Sequence, residues 1–155
     1  MKYIKLLPIL FLILLLNSCG YKKLNSENVD DFKISKLEIN GERKLSYKIK
    51  NNIEIYSSQN SKFIYNIKIN LISTKETEIK NKAGKTTRYS TKLQADTVIS
   101  NKNTKNEYRK SFTSTHDYDV GSTHSSTLNN EKNANENNIN YISNEIIKYL
   151  KLLNL

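Results

Sequence analysis

Phe63-Ile64-Tyr65-Asn66-Ile67-Lys68-Ile69-Asn70-Leu71 alternates without a break. Phe63, Tyr65, Ile67, Ile69 and Leu71 fall on one side; Ile64, Asn66, Lys68 and Asn70 fall on the other. A period of two with one apolar and one mostly wet face marks a strand whose sheet is covered on one side only. Downstream the stretch runs out in polar residues toward Lys80. Residues 81–87 contain Ala83-Gly84, a hairpin end. Tyr89, Thr91, Leu93, Ala95, Thr97 and Ile99 alternate again. Residues 101–106 read as a further turn. Tyr108, Lys110 and Phe112, or the offset set, carry a fourth strand toward Tyr118. The sheet is therefore mainly a meander.

Upstream the period changes. Leu45, Ile49, Ile53 and Tyr56 recur at four, four and three residues, one face of a helix, with Lys44, Lys48 and Lys50 off that stripe. Before it, Phe32, Ile34, Leu37 and Ile39 form a short apolar segment that ends at the turn pair Asn40-Gly41. At the other end, residues 119–126 are small and polar. Ile139, Ile142, Ile146, Leu150 and Leu153 then keep helix spacing, which predicts an amphipathic helix over 137–153. The preceding ten residues are loaded with Asn, a mediocre helix former, so the helical signal there is weaker. The order β-α-β-β-β-α predicts an α+β fold: a two-layer sandwich of a mainly antiparallel four-stranded sheet with two helices on one face.

The first nineteen residues read as an address. Met1 to Lys5 carries two positive charges, residues 6–16 are apolar apart from the break at Pro8, and Asn17-Ser18-Cys19 follows. This is the pattern of a secretory signal. The apolar run is shorter than the roughly 20 residues a membrane span needs. Leu16-Asn17-Ser18-Cys19 resembles a bacterial lipobox, in which the cysteine becomes the lipidated first residue. Asn17 departs from the usual small residue. Gly20 follows instead of the aspartate associated with inner-membrane retention, which points to the outer membrane. The expected organisation is a lipoprotein signal peptide at 1–18, a lipidated N-terminus and tether at 19–31, and a single domain at 32–155. Removing residues 1–18 leaves 137 residues, and the loss of Lys2 and Lys5 takes the formal charge from +10 to +8.

Composition removes several kinds of chemistry. One cysteine excludes an intramolecular disulfide framework and a multi-cysteine zinc site. His116 and His124, with Asp117 and Asp119 between them, lack the three or four fixed ligands of a metal site and read as solvated loop residues. Ala83-Gly84-Lys85-Thr86 resembles the end of a phosphate loop, but Ile79 stands where that motif needs its first glycine. No Gly-x-Ser-x-Gly elbow occurs. Glu76 with Glu78, or Asp30 with Asp31, makes no persuasive acid–base pair. The expectation is a protein that is not an enzyme and holds neither cofactor nor metal. The excess of positive charge is densest at Lys80, Lys82, Lys85, Arg88 and Lys92, around the central hairpin. Nucleic acid is a poor partner for an exported, anchored chain, and an anionic lipid is a better one. A solvated surface and a blunted sheet edge are the plain alternatives.

With the segments placed, the chain resembles the lipopolysaccharide-assembly lipoprotein family (LptE). The likeness is carried by Cys19-Gly20-Tyr21 with Leu24, by the basic turn Lys82-Ala83-Gly84-Lys85-Thr86-Thr87-Arg88-Tyr89, by Tyr108-Arg109-Lys110-Ser111-Phe112, and by Tyr118, Ser126-Thr127-Leu128 and Ala134 ahead of the closing helix. It covers essentially all of 19–155. The small residues usual in the last helix of that family are largely Asn here. The resemblance implies a lipoprotein on the periplasmic side of the outer membrane, held by lipid at Cys19. It would act as plug and assembly partner of an LptD-like β-barrel that inserts lipopolysaccharide. Lys82, Lys85 and Arg88 would contact lipid phosphates. The alternative is a free-standing, periplasm-facing lipoprotein that binds an envelope ligand or polymer. It predicts an apolar pocket with convergent polar groups.

Overall fold

The computed structural model describes residues 32–154; the lipobox, the cleavage point and the tether expected from the sequence lie outside the described residues. Strict alternation from Phe63 produces a strand longer than the apolar pattern itself. The elements are β1 (Phe32–Asn40), α1 (Arg43–Glu54), β2 (Phe63–Lys80), β3 (Thr86–Asn101), β4 (Glu107–Asp119) and α2 (His124–Leu152). They form one sheet in the order β1-β2-β3-β4, so the α+β class and the β-α-β-β-β-α order are as expected.

β2, β3 and β4 make the antiparallel meander. β1 lies parallel to β2. The connection explains the difference. α1 carries the chain back along the sheet, so the next strand starts at the same end as β1 and must run the same way. That pairing covers only the first half of β2, from Phe32↔Phe63 to Asn40↔Asn70. Beyond Asn70, β2 pairs only with β3 among the described residues. Residues 72–80 are exposed on both faces, so no apolar alternation is required of them. Pairing with β3 through Lys80↔Thr86 makes this half a strand.

The core lies between the inner sheet face and the helices. Tyr65, Ile67, Ile69 and Leu71 of β2 meet Leu93, Ala95 and Ile99 of β3 and Phe112 of β4. Leu45, Ile49 and Ile53 of α1 and Ile139, Ile142, Ile146 and Leu150 of α2 close over them. Each fully buried Ile or Leu contributes about 1.5–3 kcal/mol relative to an exposed one. Leu153 is half-buried against this cluster.

α2 starts well before the apolar stripe. Thr123 caps it: its hydroxyl accepts from the Ser126 N–H at 3.1 Å, and Ser126 Oγ accepts from the Thr123 N–H at 3.1 Å. This reciprocal pair satisfies donors that a helix start otherwise leaves open. Side chains along the Asn-rich turns also reach the sheet. Asn130 donates to the Asp119 carbonyl at 2.9 Å, and Ala134 and Asn138 are buried. Capping and tertiary contacts together override a propensity deficit of at most about 0.7 kcal/mol per residue.

Candidate functional site

The basic hairpin reaches well past β1, with β4 beside it as far as Arg88↔Asp119, so that its turn forms the far end of the sheet. Its turn is built by Asn81, whose side-chain oxygen accepts from the backbone N–H of Ala83 and of Lys85, each at 3.0 Å. The Asn81 N–H donates to the Lys85 carbonyl at 2.9 Å, and Gly84 takes φ +76°, a conformation that favours glycine. The Gly84-Lys85-Thr86 stretch is thus a hairpin end with a strand on each side, and it is not the strand-to-helix bend of a phosphate loop.

The structure separates the three basic residues singled out from the sequence. Lys82 and Lys85 stand exposed at the tip, and neither makes an ion pair among the described residues. Arg88 lies further back and turns to β4, where its Nε is 2.7 Å from Asp119 Oδ1. That guanidinium holds the Asp119 carboxyl below the usual carboxylate range, first by hydrogen bonding and then by charge. Both partners are well exposed, so the pair orients Arg88 more than it stabilises the fold.

Sequence reasoning missed the polar cluster at the base of the hairpin, under α2. Lys75 reaches Glu131 at 2.8 Å and lies over the rings of Tyr89 and Tyr118, 4.6 and 5.4 Å from their centroids. The two rings stack at 5.6 Å. The Lys75 hydrogen bond is the main cause that lowers the Glu131 pKa. Because the folded value is depressed, the stabilisation is complete above the ordinary Glu pKa of about 4.3 and is lost as pH falls through the folded value. Lys75→Met removes that contribution. The expected result is that the stability gap between wild type and Lys75→Met, measured by urea unfolding, closes as pH is lowered below about 4.3. A gap that does not change with pH would show that the ion pair is not its source.

Two turns further along α2 from Glu131, Asn138 is fully buried. Its amide NH₂ donates to the Thr91 carbonyl and to Thr91 Oγ1, each at 3.1 Å, and its Oδ1 lies 2.8 Å from His116 Nδ1. Thr91 Oγ1 in turn donates to the His116 carbonyl at 3.1 Å. Two oxygens facing one side of the amide fix its orientation, so His116 Nδ1 must carry a proton and donate. His116 is therefore no solvated loop residue. It sits half-buried in β4, on the inner face, with Phe112, Ser114 and Tyr118. Asp117 and Asp119 alternate to the outer face, so the four residues do not converge on a metal. Among the described residues no group of three or more His, Cys, Asp or Glu is placed to hold one. Ser114 Oγ lies 3.5 Å from His116 Nδ1, but a nitrogen already donating to Asn138 cannot take a proton from serine.

Two open grooves run along the seam of α1 and α2, with volumes of about 280 and 350 Å³. Lys48, Asn51, Asn52, Glu136 and Asn140 line the first with Ile139, and Asn52, Asn140 and Asn144 line the second with Ile55 and Tyr56. Lys48 pairs with Glu136 at 2.6 Å, and Asn52 donates to Asn140 at 3.2 Å. Both grooves are open, and polar side chains outnumber apolar ones in their lining. Among the described residues no helix is long and apolar enough to cross a membrane.

No protein-family model matches the chain, and no curated protein matches it by sequence. Its fold does recur in solved structures. Rare lipoprotein B from Shewanella oneidensis is similar with a TM-score of 0.59 at 9% identity, over 76% of this chain and 92% of that one. Lipoprotein B from Nitrosomonas europaea gives 0.58 at 11%, over 82% and 88%. A minor lipoprotein from Acinetobacter baumannii gives 0.51 at 16%, over 81% and 95%. At these identities the likeness establishes the fold, and it is a fold carried by proteins described as lipoproteins.

Proposed function

We propose that this chain is an outer-membrane lipoprotein, anchored through Cys19, that plugs a β-barrel translocon and assists its assembly and its insertion of lipopolysaccharide. The observation that carries the reading is the shared fold with lipoproteins, found for a chain whose only cysteine stands in a stretch that resembles a lipobox. Physical features agree with it. The outer sheet face is mostly polar: Lys68, Asn70, Thr113 and Thr115 are exposed there, Gln94 and Ser111 both donate to Asp96, and Ile72 is an exposed apolar exception. A barrel interior is itself polar, so a plug needs such walls.

The hairpin also has the reach. β2 is 18 residues long, about 55 Å from end to end, against an apolar band of about 25 Å in an outer-membrane barrel. Its tip offers Lys82 and Lys85 to the phosphates of a lipid A head group. Arg88 stands behind them, held toward β4 by Asp119.

The test is recovery of partners with the tagged chain in mild detergent. An outer-membrane β-barrel protein should co-purify, and recovery of no barrel would sink the proposal. Lys82→Glu with Lys85→Glu should retain the barrel and weaken binding of lipopolysaccharide at least tenfold, and unchanged binding would remove the tip from the site.

A further inference from the structure

The end of the domain opposite the hairpin tip has its own chemistry. Three segments converge there. Ser58 N–H donates to the Phe32 carbonyl at 2.8 Å, Lys102 N–H to the Ile64 carbonyl at 2.8 Å, and the Asn103 amide to the Lys62 carbonyl at 2.6 Å. Both helices finish at the same end: α1 leads directly into this corner, and Asn154, just after α2, accepts from the Tyr65 hydroxyl at 2.8 Å. Lys33, Lys62, Lys102 and Lys105 surround the corner. The nearby acids Glu107 and Glu54 are already matched by Arg109 and Lys50. The helix ends add large apolar groups that the core leaves out: Ile55 is 78% exposed, Leu152 62% and Tyr56 52%. Lysines beside exposed aliphatic and aromatic side chains are the composition of a surface that lies in a lipid headgroup layer.

Chain length sets the direction. The tether enters at Phe32, in this corner. From Cys19 to Phe32 there are thirteen residue steps, which extend at most about 45 Å. Were the hairpin tip on the anchoring leaflet, Phe32 would stand about 55 Å above it, beyond that reach. We infer that, in the anchored chain before it enters a barrel, this corner docks end-on against anionic phospholipid headgroups of the leaflet that holds the Cys19 lipid, with Lys62, Lys102 and Lys105 on phosphates and Ile55, Tyr56 and Leu152 in the interface. In that state the hairpin tip points away from the leaflet into the aqueous space, and the contact with lipid A phosphates is made only once the domain has entered the barrel. The inference rests on the lipid anchor at Cys19 and does not depend on the barrel.

The experiment uses the mature lipidated chain in vesicles of phosphatidylethanolamine, with and without phosphatidylglycerol. A fluorophore is placed through Asn60→Cys in the docking corner or through Lys82→Cys at the tip. Lipid-borne quenchers should quench the Asn60 probe strongly in anionic vesicles and weakly in neutral ones, and should leave the Lys82 probe bright. The triple change Lys62→Glu, Lys102→Glu, Lys105→Glu should abolish the difference between the two lipid compositions. Ile55→Ser with Leu152→Ser should lower the quenching by about half or more while keeping the charge dependence. Protein that floats with the vesicles but shows an unquenched Asn60 probe, or a quenched Lys82 probe, overturns the docking alone. Protein that fails to float with either vesicle overturns the anchor and the docking together.

Discussion

Asn138→Ala lowers the unfolding free energy by about 3 kcal/mol, and the melting temperature by about 10 °C, while leaving the helical content almost unchanged. Three hydrogen bonds end at this one buried amide. Alanine removes all three and leaves the His116 N–H facing a small apolar void. The cost combines an unsatisfied buried donor, about 1–3 kcal/mol, with the lost packing of a side chain sealed from solvent. Asn138→Asp should cost at least as much at neutral pH, because a carboxylate would face the two Thr91 oxygens that now accept hydrogen bonds. Asn133→Ala, at an exposed position of the same helix, should stay within about 0.5 kcal/mol of wild type. Urea and thermal unfolding of the three variants decides the matter. Equal stabilities for Asn138→Ala and Asn133→Ala would show that the Thr91–Asn138–His116 cycle does not hold α2 to the sheet.

The position of Asn138 shows where the sequence was legible and where it was not. The apolar stripe Ile142, Ile146, Leu150 has a spacing of four, and one step back along it falls on Asn138. A polar residue on an apolar stripe is a buried polar residue in search of partners. That signal was present, but the surrounding run of Asn masked it. His116 was legible in the same way. Phe112, Ser114, His116 and Tyr118 share one strand face, and fixing the parity of β4 on its two aromatic ends would have turned the histidine inward. The elements themselves were readable because each rests on a local period: two along β2 and β3, and three to four along α1 and the second half of α2. The pairings were not. Lys75 with Glu131 and Arg88 with Asp119 join residues far apart in the chain, and only strand register and helix placement bring them together. The same holds for Arg88 as a candidate phosphate ligand: its basic neighbourhood is visible in the sequence, and its engagement across to β4 is not.

Gly41→Ala is expected to destabilise the fold by about 3 kcal/mol or more, well beyond the cost of the same change at Gly84. Asn40-Gly41 reads as a turn, and the structure adds two separate reasons for glycine. Gly41 has φ +132°, which side-chain-bearing residues avoid, and a Cβ there would come within 2.7 Å of the Leu71 carbonyl oxygen and 2.8 Å of the Leu71 Cβ. Gly84 shares the first reason only: at φ +76° an added Cβ meets nothing within 4 Å. Gly84→Ala should therefore cost about 1 kcal/mol, and the difference between the two variants measures the close approach. Equal losses in urea unfolding would show that Leu71 yields freely and that conformation alone demands glycine at position 41. The contact matters because of its place in the sheet. Asn40 is the last residue of β1 to pair with β2, opposite Asn70, and Leu71 is the next residue of β2. Glycine lets the chain leave the sheet across Leu71 without pushing β2 aside, at the point from which β2 continues with β3 alone. A methyl group at position 41 would press on the root of the projecting hairpin, so Gly41→Ala should also loosen the strands that hold Lys82 and Lys85 at their distance from the tether.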